Sequence, residues 1–444
     1  MGDFLGSVWW MIVSLGVLVT FHEFGHYWVA RRCGVKVLRF SVGFGTPLWS
    51  RRNSAGTEFV IGAIPLGGYV KMLDEREADV TVAERNQAFN RKSVWQRIAI
   101  VAAGPLANLL LCMLLLWALF VIGKEDYSAT VGRVEHLAAQ AGLHPGDRIT
   151  AVDGRQVTSW TEASMLLTTA ALDKQDTVLR VIDLYGKHSE HVLELSKLKQ
   201  HFDERRVTTL AGLNWQFMLQ PPIIAKVEPG SIAEGTLKPG DTVLAVDGQQ
   251  TLSTEDLYNQ IQKLGHDGHS GMIEIQRGEE RLALELRPRK SAQGIWLLGV
   301  KISPGPVPAF DSQQRYGVLA AVPLAIRETV QMTTDSFGMM KRIITGQASA
   351  KNISGPISIA RIANASAKRG VGWFIYFLSL LSLSLAIINL FPIPILDGGH
   401  LLYYAIELLK GSPLSTRAMA AGQYIGLALL TGLMGLAFYN DLLG

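Results

Sequence analysis

The chain has 444 residues, 48% of them hydrophobic and 18% charged, with a formal net charge of +4. A mean hydropathy of +0.20 is too apolar for a soluble protein of two or three ordinary domains, and so small a charge excess carries no signature of nucleic-acid binding. The two cysteines, Cys33 and Cys112, lie beside and inside apolar runs, which excludes a disulfide framework and a cysteine-based metal site.

Residues 1–30 are predicted to form the first transmembrane helix. Positions 4–30 hold no Lys or Arg and are long enough to cross a hydrocarbon core of about 30 Å. With no basic segment ahead of it, the run reads as a retained span rather than a cleaved signal peptide. The following segment, 31–97, carries Arg31, Arg32, Lys36 and Arg39 at one end and Arg91, Lys92 and Arg97 at the other. The positive-inside bias places it in the cytoplasm. A second span is expected at 98–122.

Between 123 and 370 the chain is polar and contains a repeat. AGLHPGDRITAVDGRQV at 141–157 recurs as EGTLKPGDTVLAVDGQQT at 234–251, matching Pro145, Gly146, Asp147, Asp153 and Gly154 to Pro239, Gly240, Asp241, Asp247 and Gly248 at an offset of 94. Two modules are predicted, 125–218 and 219–305, each with an Asp-Gly pair suited to a tight turn with positive φ. The Pro-Gly-Asp turn, apolar strand and Asp-Gly hairpin resemble PDZ domains, which bind extended chains by adding a strand to a sheet edge; spacers without a ligand are the lesser alternative. Residues 306–370 have apolar residues at helical spacing and are expected to lie on the membrane surface. A third span follows at 371–396, a cytoplasmic connection at 397–420 and a fourth span at 421–440. The N-terminus, both modules and the C-terminus then fall outside.

The chemistry concentrates in two spans. His22, Glu23, Phe24, Gly25 and His26 occur in the first. Positions four apart share a helix face, so both imidazoles can meet one Zn²⁺ while Glu23 reaches the attacking water. Charged and imidazole side chains in a bilayer are costly unless they face an interior site. A catalytic zinc needs a third protein ligand. The third span is expected to end in Asn389-Leu-Phe-Pro392-Ile-Pro-Ile-Leu-Asp397-Gly-Gly-His400, where Asp397 is the only acidic residue between 371 and 405. His400 is a weaker alternative, one turn further on.

Together these motifs resemble the site-2 protease family of intramembrane zinc metalloproteases, and the four spans with tandem PDZ modules resemble its bacterial sigma-E regulator protease subgroup. The resemblance spans essentially the whole chain. It implies a polytopic α-helical membrane protein of the bacterial inner membrane with two exported α/β PDZ-like domains. It implies His22, His26 and Asp397 as zinc ligands and Glu23 as general base and acid. Asn389 and Pro392 would contact substrate. FVIGAIPLGGYVKM at 59–72 resembles the family's membrane-reentrant β-hairpin (about 57–73), with Gly67 and Gly68 at its bend, offering a strand edge to substrate. The implied substrates are single-span proteins already stripped of their outer domain, such as an anti-sigma factor, and remnant signal peptides, with the PDZ pair acting as a size filter. A metal-ion transporter and a catalytically inactive PDZ scaffold are the alternatives; the former fits poorly without inverted repeats, the latter with Glu23 present.

Overall fold

The computed structural model describes residues 2–443 other than 77–79, 200–201, 217–218, 292–293, 304–308, 350 and 352. The expected junction of the second module with the connecting segment, at 305–306, lies outside the described residues. In chain order the helices and the first two strands are α1 Gly2–Arg32, β1 Val37–Arg52, β2 Glu58–Met72, α2 Val94–Ile122, α3 His136–Gln140, α4 Trp160–Leu172, α5 Val207–Ala211, α6 Thr254–Asp267, α7 Ala321–Ile344, α8 Pro356–Arg369, α9 Val371–Leu390, α10 Asp397–Lys410 and α11 Thr416–Leu443. The chain divides into two compact units, Met1–Glu125 with Gln313–Gly444, and Asp126–Ser312.

The second unit holds the repeat. Strand Arg148–Val152, helix α4 and strand Thr177–Ile182 recur as Thr242–Val246, α6 and Gly271–Arg277, so the 94-residue offset of the sequence is an offset of structure. Asp153 and Asp247 have φ of 48° and 49° and are followed by Gly154 and Gly248 at 76° and 73°, the double positive φ of a tight hairpin turn. Each aspartate then accepts a hydrogen bond from the next strand, at Val178 N and Met272 N, 2.8 and 2.7 Å away. Each module buries its own aliphatic cluster, around Ile149, Leu167 and Leu179 in one and Ile224, Ile273 and Ile275 in the other. Arg133 and Asp256 join the two by a bidentate pair of 2.8 and 2.7 Å.

In the first unit, α1, α2, α9 and residues 417–442 of α11 are, among the described residues, the four helices long and apolar enough to cross a membrane. Helix α2 begins in a capping box, with Ser93 accepting from Gln96 N and the Gln96 side chain accepting from Ser93 N, which satisfies two orphan donors at once. Cys112, Leu116 and Leu119 of α2 pack with Ala325 and Met332 of α7 and Leu383 and Ile387 of α9. The segment expected on the membrane surface therefore divides into α7, which packs against the spans, and α8. At the start of α8 the Asp441 carboxylate accepts from Gly355 N, Ile357 N and Ser358 N at 3.0, 2.8 and 3.2 Å. Pro356 at its first turn suits a helix start.

Several boundaries differ from the sequence reading, the second span starting at Val94 rather than 98. The third span stops at Leu390 rather than 396, because Pro392 and Pro394 cannot continue the helical hydrogen bonding; Asp397 opens a separate helix, α10. The expected connection 397–420 is therefore largely helical, and the fourth span starts at Thr416. The hairpin is also larger than 57–73. Phe40 pairs with Val70 on one side and Phe59 on the other, and Arg51 pairs with Phe59, so β1 and β2 each fold over to give four extended segments in the order 47–52, 58–62, 37–42, 68–72. The chain reverses at 53–57 and bends at 43–46 and 63–67. Gly67, with φ of 157°, closes the last bend, whereas Gly68 is paired with Val42 inside the sheet.

Candidate active site

Two glycines set how closely α1 and α2 approach. A Cβ at Gly25 would fall 2.2 Å from the Ala103 carbonyl oxygen, and one at Gly104 would fall 2.2 Å from His26 Nε2 and 2.9 Å from His22 Cε1. Only hydrogen fits at either place. The His22–His26 face of α1 is thus laid directly on the backbone of α2. On the other side, α10 begins with Asp397, Gly398 and Gly399; a Cβ on those glycines would meet Phe391 O at 2.1 Å and Ile393 O at 2.3 Å. The glycines let the first turn of α10 tuck beneath the 391–396 loop, and an aspartate in that turn also suits the positive end of the helix dipole.

These constraints converge on one point. Asp397 Oδ2 lies 3.1 Å from His22 Nε2 and 3.5 Å from His26 Nε2, and the two Nε2 atoms are 3.2 Å apart. Three donors on a tetrahedron with bonds of about 2.05 Å stand about 3.3 Å from one another, so the triangle has the dimensions a zinc ion requires. The carboxylate atom Asp397 Oδ2 is buried and accepts no hydrogen bond among the described residues. A buried oxygen left without a donor, facing two ring nitrogens, is the donor set of a cation site. Two nitrogens and one oxygen leave a fourth position open, the pattern of a catalytic rather than a structural zinc.

Glu23 stands one residue round the helix, beside the sheet: a Cβ on Gly68 would come within 3.0 Å of Glu23 Cγ and 2.7 Å of Ser41 O. The absence of a side chain at 68 lets the outer segment 68–72 lie against α1. Its other neighbour is the 37–42 segment, so among the described residues no strand pairs with the second edge of 68–72. Asn389 sits half-buried in the last turn of α9 with no hydrogen-bond partner among the described residues, and Pro392 is exposed just beyond. His400 does not join the triangle; its ring lies edge-on against Tyr403.

Several residues around this point escaped the sequence reading. The Ile100 carbonyl lies 2.8 Å from His26 Nδ1, and the Asn108 amide 3.3 Å from His22 Nδ1. Ile100, Gly104 and Asn108 recur every four residues and so share one face of α2. The available signal was Asn108 itself, an amide in the middle of an apolar span. Arg97 at the start of α2 holds Glu407 of α10 at 2.6 and 3.2 Å and lies over the Tyr404 ring, tying the helix that carries Asp397 to the helix that carries Asn108.

Four helices long and apolar enough to cross a membrane, with such a donor triangle and an adjacent glutamate, fit the class of integral-membrane zinc proteases. The match to known proteins is specific: the family model "Peptidase family M50" covers residues 10–433, and the chain belongs to this family, the site-2 proteases. It is a zinc metalloendopeptidase. Among curated proteins it is 90% identical to a "Putative zinc metalloprotease" of Xylella fastidiosa (strain Temecula1 / ATCC 700964), over all of both chains. It is 40% identical to "Regulator of sigma-E protease RseP" of Escherichia coli (strain K12), over 99% of each, and to the protein of that name in Salmonella typhimurium (strain 14028s / SGSC 2262), over 97% of each.

Proposed function

We propose that this protease cleaves single-span membrane proteins within their transmembrane segments once their outer domains have been removed, with an anti-sigma factor and remnant signal peptides as substrates. The observation that carries the reading is the convergence of His22, His26 and Asp397 from two helices, with Glu23 alongside, inside a bundle of membrane-crossing helices. The sigma-E regulator relatives, alike over nearly the whole chain, favour this substrate class.

His22, His26 and Asp397 would hold the zinc. When bound, the ion would supply Lewis-acid polarisation of the scissile carbonyl and activation of a water. The chain's own residues do the rest. Glu23 takes a proton from the attacking water and returns it to the leaving amine. The free edge of 68–72 pairs with the unwound substrate, since a helical substrate offers no accessible amide and strand addition holds it extended. The Asn389 amide, without a side-chain partner among the described residues, binds substrate backbone, with the exposed Pro392 beside it also contacting substrate.

The basic residues at both ends of 31–97 support a cytoplasmic side for this end of the site. The N-terminus, the PDZ-like modules and the C-terminus then face the periplasm, and the hairpin re-enters the membrane. There the modules exclude proteins whose outer domains are still attached. Glu23→Gln tests the proteolytic reading in a reporter with one span: cleavage should vanish while zinc stays bound, and cleavage at an appreciable rate would remove Glu23 from its role.

A further inference from the structure

We infer that Asn108 is a positioning residue whose side-chain oxygen accepts a hydrogen bond from His22 Nδ1–H and so leaves His22 Nε2 free to ligate the metal. The inference rests on His22 and His26 as metal ligands.

A neutral imidazole carries one N–H, and the nitrogen without it is the one that can ligate. For His26 the choice is fixed by α2. Its Nδ1 faces the Ile100 carbonyl at 2.8 Å, which can only accept, so Nδ1 holds the hydrogen and Nε2 the lone pair. For His22 the neighbour is an amide. With Asn108 Nδ2 3.3 Å from His22 Nδ1, the amide donates to Nδ1 and forces a hydrogen onto Nε2, aimed at Asp397 and at His26, where no ligand bond could form. In the same arrangement Asn108 Oδ1 has no partner among the described residues, and the residue is wholly buried.

A half-turn of the terminal amide exchanges the two atoms, a rotation that changes almost nothing in shape. Oδ1 then accepts from Nδ1–H and His22 acquires the tautomer of His26. The number of unpaired buried amide groups does not rise, because the NH₂ takes the place of the orphaned oxygen. The backbone at this position is itself held, with Ser382 Oγ of α9 donating to the Asn108 carbonyl at 2.7 Å. One face of α2 therefore supplies a carbonyl for one ligand, an amide oxygen for the other, and at Gly104 the space for both rings. Such outer partners orient a metal-bound imidazole and commonly change metal affinity 10–100-fold when removed.

The test compares Asn108→Leu, of similar size without an acceptor, with Asn108→Asp, which keeps an acceptor and loses the NH₂. Zinc affinity of the full-length protein in detergent is measured by competition with a chromophoric chelator. Asn108→Leu should raise the zinc Kd about 10–100-fold, and Asn108→Asp should stay within a few-fold of the natural protein. If Asn108→Leu does not fold, Asn108→Ala carries the same expectation. Equal affinity in the Leu and natural proteins, or equal loss in Leu and Asp, would overturn the inference. A natural protein that binds no zinc would instead sink the ligand assignment beneath it.

Discussion

Gly104→Ala is the sharpest perturbation of the site that substitutes none of the proposed ligands. The added methyl carbon would lie 2.2 Å from His26 Nε2 and 2.9 Å from His22 Cε1, with His26 Cε1 at 2.6 Å. Relief to an ordinary contact of about 3.5 Å requires the His26 ring to retreat by roughly 1.3 Å, or the helices to part by as much. Zinc–nitrogen bonds tolerate about 0.2 Å, and a misplacement of about 1 Å commonly costs on the order of 10²-fold. The variant should therefore lose zinc affinity and proteolysis by at least 100-fold while remaining helical, since alanine is the better helix former by about 1 kcal/mol. Gly16→Ala is the internal control. It lies in α1 with nothing within 4 Å of its would-be Cβ, so it should bind zinc and cleave normally. Zinc per chain and reporter cleavage are measured for both. A Gly104→Ala protein with full zinc and natural activity would refute the claim that the imidazoles sit against α2 in the working enzyme.

Other consequences arise from the same kinds of contact. Arg97 and Glu407 are both largely buried, at 12% and 13% side-chain exposure, so Arg97→Leu should strand a buried carboxylate and destabilise the protein by about 3 kcal/mol. The double variant Arg97→Leu/Glu407→Leu should recover most of that, as read from thermal unfolding in detergent; equal destabilisation by single and double variants would contradict it. In the second module, burial pushes the Asp241 carboxyl upward, but the Arg277 fork at 2.8 and 2.7 Å and the Lys238 N–H outweigh it and hold Asp241 below the usual carboxylate range. A depressed folded pKa means that this stabilisation is complete above the ordinary carboxylate value and is lost as pH falls through the lower folded one. Hydrogen exchange of residues 223–286 in the full chain should show an acid-side loss of protection that Asp241→Asn flattens, and an unchanged acid limb in that variant would remove Asp241 as its source. Excess zinc should raise the midpoint of thermal unfolding and chelation lower it, by the mass action of a ligand bound only to the native state; a midpoint indifferent to both would argue against a site formed by folding.

How much of this was readable in the sequence differed by element. The four spans were, because the bilayer imposes length and apolarity on contiguous residues. The modules were, because Asp-Gly turns demand a positive φ that few other pairs provide. Local rules also pointed to His22 and His26, four residues apart on one helix. They did not show that Asp397 begins a new helix, since two prolines mark where α9 must stop but not where helical structure resumes. The doubled-over sheet was hidden for a similar reason. Its bends fall at Gly43, Gly45 and Gly67, and which segments then pair is decided by contacts among stretches that are each equally extended. Asn108, Gly104 and the Ile100 carbonyl were out of reach because their roles arise from a helix crossing, and a backbone carbonyl has no sequence letter at all.

Everything turns on His22, His26 and Asp397 meeting at one ion. The direct measurement is the zinc content of the purified full-length protein, natural and with His22→Ala, His26→Ala and Asp397→Ala made singly. One zinc per chain in the natural protein and well under one in each variant is the expected result. Full occupancy in any one of the three would remove that residue from the site, and full occupancy in all of them would place the zinc elsewhere.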